Sequence, residues 1–163
     1  MRPADVEEET AGEPRAVAVE NARRKALAIS GELVLGADTI VAVDGDILGK
    51  PRDAAQAREY LGRLAGRRHE VVGGVALARD GVVVAADVVV TAVEITHVHF
   101  RKASPSLLDW YVATGEWQGR AGGYAIQGAG AAIDEGLEGD YLNVVGLPLQ
   151  RLLDLMPELL PTR

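Results

Sequence analysis

Two Asp-Gly dipeptides, Asp44–Gly45 and Asp80–Gly81, each lie between apolar runs, and they constrain how this 163-residue chain can fold more than any other feature. An Asp-Gly pair flanked by β-favouring residues predicts a tight two-residue hairpin, because both residues tolerate the positive backbone angles such turns need. Thr39–Val43 is thus expected to turn into Ile47–Leu48, and His69–Ala78 into Val82–Val88, with Val90–Phe100 as the next strand. Leu33–Leu35 and Thr39–Val43 are read as one strand, with Asp38 and Thr39 near the end of its apolar stretch.

Helical signals surround these strands. Glu13–Ile29 predicts a helix, with Pro14 near its start, Val17, Ala18, Ala22 and Leu27 in helical spacing, and Gly31 as a stop. Asp53 caps a second helix reaching about Ala65. Ser104–Pro105 opens a third that runs to Thr114, a cap followed by proline at the first helical position. Ala131–Ile133 is expected as a short strand and Pro148–Leu155 as a closing helix. Hairpins together with crossover helices predict a single α/β domain over residues 1–163, built on a mixed sheet flanked by helices.

Composition narrows the chemistry. The absence of cysteine removes disulfides, thiol nucleophiles and thiolate zinc sites together. Apolar residues make up 48% and aromatics only 4%, so the core has to be built from Val, Leu, Ile and Ala. A net charge of −7 argues against a nucleic-acid coat, although Arg23–Arg24–Lys25, Arg67–Arg68–His69 and Arg101–Lys102 form local basic clusters suited to a small anion. The most apolar stretch, Val82–Val90, is broken by Asp87 and is too short to span a bilayer. Met1–Thr10 is acidic and polar, without the pattern of a leader. The expectation is a cytoplasmic protein with neither a membrane nor a nucleic acid as partner.

Four features carry chemical potential. Asp38 and Thr39 put a carboxylate and a hydroxyl beside each other, and Lys50 returns towards them across the Asp44–Gly45 hairpin. Glu7, in the acidic run Glu7–Glu9, would pair with Asp38 if the chain binds a hard cation, which needs one or two carboxylates plus substrate oxygens. The segment Gly119–Gly128 is a loop whose glycines permit close backbone approach, but it lacks Walker spacing. Within it, Gln127 offers a donor and an acceptor side by side, a natural match for the edge of uracil or thymine. His97 and His99 share a strand face, with no third metal ligand evident.

Five motifs then fall in one order. Ala22–Arg23–Arg24–Lys25–Ala26, Gly36–Ala37–Asp38–Thr39, Gly49–Lys50–Pro51, the loop Arg120–Gly128, and Gly139–Asp140–Tyr141 through Leu149 resemble the Maf proteins, nucleoside triphosphate pyrophosphatases once named for septum-formation inhibition. The resemblance covers nearly the whole chain. It implies hydrolysis of a nucleoside triphosphate between its α and β phosphates with a divalent metal cation, Mg2+ or Mn2+. It further implies Asp38 as proton acceptor, Glu7 with Asp38 as metal ligands, and Lys25 and Lys50 as catalytic lysines. Thr39 and Gln127 match positions linked to substrate choice, in the manner of the branch acting on dTTP and UTP rather than on methylated GTP. Arg120 stands where the family usually carries a lysine, and as a substrate-binding group it keeps the charge in a planar fork.

The resemblance also implies a strongly curved sheet of the Maf and inosine triphosphatase type, N-terminally truncated. Family members begin with a strand and a Ser-x-Ser-Pro-Arg-Arg loop, which would precede the first residue of this chain and supply phosphate-binding groups. A sheet lacking that strand would expose edges and favour a homodimer. Two other readings stay open at this level: a nucleotide-binding or septum-regulating protein without catalysis, and a pyrophosphatase for deaminated purines.

Overall fold

In a computed structural model, which describes residues 6–78 and 90–160, the Asp44–Gly45 hairpin forms as the sequence predicts. It folds the long strand β1 (Val34–Val43) back onto the short strand β2 (Asp46–Leu48), pairing Val41 with Leu48 and Val43 with Asp46. On its other side β1 pairs from Val34 to Ala42 with β3 (Arg68–Ala78). β4 (Val90–Phe100) and β5 (Asp134–Glu138) complete a five-stranded sheet in the order β2-β1-β3-β4-β5. The expected strand Val82–Val88 and its Asp80–Gly81 turn lie outside the described residues.

The α/β character and the flanking helices hold, but the expected mixed sheet does not. Every pairing among the described residues is antiparallel. The reason lies in where the crossover lands. Helix α2 (Ala54–Leu64) joins β2 to β3, two strands that run the same way, but β1 already lies between them and is antiparallel to both. The expected strand at Ala131–Ile133 is also corrected. Gly128–Ala132 is a 3₁₀ turn, held where the Glu116 carboxylate accepts the Ala129 N–H at 3.0 Å. The strand follows it, as the acidic edge strand β5.

The helix starts agree with the caps in the sequence. The Glu13 side chain accepts the Ala16 N–H at the start of α1 (Pro14–Leu27), Asp53 accepts from Gln56, and Ser104 accepts from Leu107 to open α3 (Pro105–Thr114). α2 and α3 cover one face of the sheet, where Leu61, Leu64, Leu108 and Tyr111 meet Val41, Val71, Val98 and Phe100 in the main core. Each fully buried aliphatic side chain stabilises by roughly 1.5–3 kcal/mol. Two short helices, α4 (Tyr141–Val145) and α5 (Leu149–Leu155), close the far end of that face, with Leu152 against Leu77.

Among the described helices α1 alone covers the opposite face, and it lies very close. Its row Ala18, Ala22, Ala26 is fully buried. A Cβ on Gly74 would come within 2.3 Å of the Ala18 carbonyl oxygen, and one on Gly36 within 2.1 Å of the Ala22 carbonyl oxygen. Small residues on both surfaces let helix backbone rest on sheet backbone, and this sets the position of the neighbouring row, Val17, Asn21 and Lys25. No helix among the described residues is long and apolar enough to cross a membrane.

Candidate active site

The site begins at a gap in the sheet. β2 pairs only with Val41–Val43, so among the described residues no strand lies beside β1 from Ala37 to Ile40 on that edge. Asp38 faces this gap from the strand interior, paired on its other side with Gly74, not from a strand end as the sequence suggests. Gly36 and Ala37 look like a strand terminus in sequence, but Gly36 is small because α1 packs onto it.

Charge alternates across the gap. The Lys25 ammonium, on the last turn of α1, donates to Asp38 Oδ1 at 2.5 Å and lies 2.7 Å from Glu8 Oε1. Lys50, just beyond β2, donates to both Glu8 oxygens at 2.7 Å. Lys50 thus meets Asp38 through Glu8 and Lys25, whereas the sequence puts it directly alongside. Glu7 is exposed and is not brought into this cluster; its neighbour Glu8 is. Burial pushes the Glu8 carboxyl up, but the hydrogen bonds and charges of Lys25 and Lys50 outweigh it and hold the group below the usual carboxylate range. Burial likewise lowers Lys25, and Asp38 and Glu8 together outweigh it, so the ammonium stays charged.

Asn21 is a site residue that sequence reasoning misses. Its amide donates to Asp38 Oδ2 at 3.0 Å from a nearly inaccessible position. The signal for it is a polar residue on the buried stripe of an otherwise apolar helix face, four residues before Lys25.

Asp38, Thr39, Lys25 and Lys50 line one cleft together with Arg120 and Gln127 from the glycine-rich loop, which brings both candidate substrate-binding groups to the acidic and basic cluster. Arg120 and Gln127 are exposed, and among the described residues no ion pair engages Arg120. The loop carrying them is pinned at four points. Gly122 N–H donates to the Gly49 carbonyl at 3.1 Å, Ala125 N–H to the Tyr111 hydroxyl at 3.0 Å, and Ala129 N–H to Glu116, while Tyr124 meets His69. Gly122 has φ of 67°, and a Cβ there would press on the Val41 side chain at 2.8 Å, so only glycine lets the loop lie against β1. The Val144–Gly146 segment at the end of α4 also lines the cleft. It is fixed by the buried Asn143, whose amide donates to the Val71 carbonyl at 3.0 Å and to Thr96 Oγ1 at 3.1 Å.

His97 and His99 do not join the site. They lie near Glu70 at 3.4 Å and Glu138 at 3.1 Å respectively, and no group of three potential metal ligands occurs among the described residues.

Comparison with known proteins converges on one family. A sequence model described as Maf-like protein matches residues 1–159. A protein of Anaeromyxobacter sp. (strain Fw109-5) named dTTP/UTP pyrophosphatase is 48% identical over 161 residues, covering 96% of this chain and 77% of its own length. A protein of Pyrococcus furiosus with the same name is 41% identical over 162 residues, covering 96% of this chain and 82% of its own. A third with that name, from Thermus thermophilus, is 44% identical over 143 residues, covering 88% and 73%. With the match running through every element that builds the cleft, the chain belongs to the Maf family.

Proposed function

We propose that this protein hydrolyses the pyrimidine nucleoside triphosphates dTTP and UTP to the monophosphate and pyrophosphate. The observation that carries the reading is the buried Asp38 carboxylate, hydrogen-bonded to Lys25 in a cleft that also holds Lys50, Arg120 and Gln127. Lys25, Lys50 and Arg120 supply cations that suit a polyphosphate, and Gln127 offers an amide to a base. The relatives named dTTP/UTP pyrophosphatase support the same substrates.

In this reading a water molecule attacks the α-phosphorus as the bond from that phosphorus to the α,β-bridging oxygen breaks. Asp38 takes the water's proton, and pyrophosphate leaves with the bridging oxygen. Lys25 and Lys50 turn from Glu8 to the phosphate oxygens and offset the charge that builds there. Arg120 presents two parallel N–H groups to a phosphate, a geometry a lysine does not offer. Gln127 pairs its amide with the donor and acceptor edge of uracil or thymine, and the Thr39 hydroxyl contributes to substrate choice. No covalent intermediate forms.

A divalent cation fits the donors present. Glu8 and Asp38 both direct carboxylate oxygens at the point where the Lys25 ammonium lies, at 2.7 and 2.5 Å. Two carboxylates completed by substrate oxygens are what Mg2+ or Mn2+ requires. Glu8, rather than Glu7, is the partner we assign to Asp38 in holding it. When bound, the ion neutralises phosphate charge and acidifies coordinated water.

The test is a nucleotide panel in which pyrophosphate and orthophosphate are measured separately. One pyrophosphate and one monophosphate per UTP or dTTP is expected. Release of orthophosphate, preference for inosine triphosphate, or binding without turnover would each overturn the proposal.

A further inference from the structure

We propose that Asn21 is a positioning residue that locks the Glu8-bearing segment onto the Asp38 carboxylate, so that substrate meets an acid–base cluster already assembled. This inference rests on the reading of Asp38 as proton acceptor.

Asn21 is 2% exposed, on the inner face of α1. One side-chain amide carries two N–H donors and an acceptor oxygen, and here each has a partner. Nδ2 donates to Asp38 Oδ2 and to the Glu9 carbonyl, both at 3.0 Å, while Oδ1 accepts the Glu9 N–H at 2.8 Å. With Glu9 the amide makes a two-way pairing like that of one peptide group with another. Asn21 therefore does to residue 9 what a neighbouring strand would do, at the stretch of β1 where no strand lies among the described residues. Glu8 is the next residue, and its carboxylate reaches Lys25 and Lys50 only while that backbone is held.

A purely structural role does not account for the residue type. Asparagine is a weaker helix former than alanine, and a buried amide is costly unless all its hydrogen bonds are made. The adjacent inward row of α1 is alanine throughout. Asn21 also engages the Asp38 oxygen that Lys25 does not, so the two contacts together fix the plane of the carboxylate.

The test compares Asn21→Leu and Asn21→Asp with the parent by hydrogen exchange at the Glu9 amide and by UTP kinetics. Leucine keeps the volume and loses all three bonds. Aspartate still accepts the Glu9 N–H but has nothing to donate to Asp38. Asn21→Leu is expected to exchange the Glu9 amide at least tenfold faster and to lose at least tenfold in kcat, with KM within threefold of the parent. Asn21→Asp is expected to keep the Glu9 protection and still lose kcat. Parental kcat in either variant, or parental exchange in Asn21→Leu, overturns the inference. If Asn21→Leu does not fold, Asn21→Asp decides by the same kinetic criterion. If the parent itself releases no pyrophosphate, the functional reading fails, and Glu9 exchange alone decides whether Asn21 is the clamp.

Discussion

His69 Nε2 and the Tyr124 hydroxyl share a hydrogen bond of 2.8 Å inside the core, joining β3 to the loop that carries Arg120 and Gln127. Phe100 packs edge-on against both rings, and the imidazole is almost wholly buried. Burial, reinforced by the nearby His99, brings the His69 pKa down from its ordinary 6.5 to about 4. Folded protein therefore binds fewer protons here than unfolded chain does. Stability from this group is full above about pH 6.5 and is lost as the pH falls towards 4, to a total of about 3 kcal/mol. Urea unfolding at pH 7 and pH 4 should show the loss, and it should be clearly smaller in His69→Gln.

Asp38→Asn keeps the shape of the side chain and removes the base. Turnover of UTP should fall by roughly 10²–10⁴ while UTP still binds within a few-fold of the parent. Pyrophosphate release and calorimetric binding check the two halves, and turnover at the parental rate would remove Asp38 from its assigned role.

Chelation with EDTA should abolish pyrophosphate release, and Mg2+ or Mn2+ should restore it. Glu8→Gln leaves one carboxylate in place of two and should raise the concentration of cation needed for half-maximal rate by at least about tenfold, since even groups that only support a ligand cost that much. Glu7→Gln, at an exposed position outside the cluster, should leave that concentration nearly unchanged.

Gln127→Ala removes the base-reading amide and leaves the polyphosphate contacts intact. The preference for UTP and dTTP over purine triphosphates should shrink by about tenfold, mostly through KM, since a lost hydrogen bond of this kind is worth about 1 kcal/mol or somewhat more. Equal losses on all nucleotides would contradict the assignment. Competition assays with mixed nucleotides read the ratio directly.

Gly36→Ala puts a methyl group where the Ala22 carbonyl oxygen and Ala26 nitrogen stand 2.1 and 2.6 Å from the new Cβ. Both are backbone atoms, so α1 has to lift. A loss of about 1–3 kcal/mol is expected by denaturant titration, with activity falling in step because Lys25 and Asn21 ride on the same helix.

The parts of this fold that read directly from sequence are those with local causes. The Asp44–Gly45 turn and the caps at Asp53 and Ser104 act within a few residues, and each appears where its chemistry puts it. Strand direction has no local signal. Whether α2 joins adjacent parallel strands or skips over β1 depends on which strand fills the middle, a contest settled by packing across the whole sheet. β5 resembles a loop because Asp134, Glu135 and Glu138 are acidic, yet an edge strand can keep such side chains in water. α4 is only five residues long, and its signal is the Asp140 cap, which accepts the Leu142 N–H at 2.8 Å.

The candidate site divides the same way. Asp38, Lys25, Lys50, Thr39, Arg120 and Gln127 are named by residue type and motif order, and they line one cleft. That Glu8 and not Glu7 joins the cluster turns on which side of a short extended segment faces Lys25, and a one-residue change of register reverses that. Asn21 carries only the weak local signal of a polar residue on a buried stripe, because its partners, Glu9 and Asp38, lie twelve and seventeen residues away in the chain.

Asp38 stands midway along β1, the strand held by β3 from Val34 to Ala42, while the cations around it hang on four-carbon stems. The anion is thus mounted on hydrogen-bonded strand backbone and the positive charges on side chains with several rotatable bonds. If the site acts as proposed, accommodation of triphosphates of different sizes falls to the lysines, and the aim of the carboxylate stays constant from one nucleotide to the next.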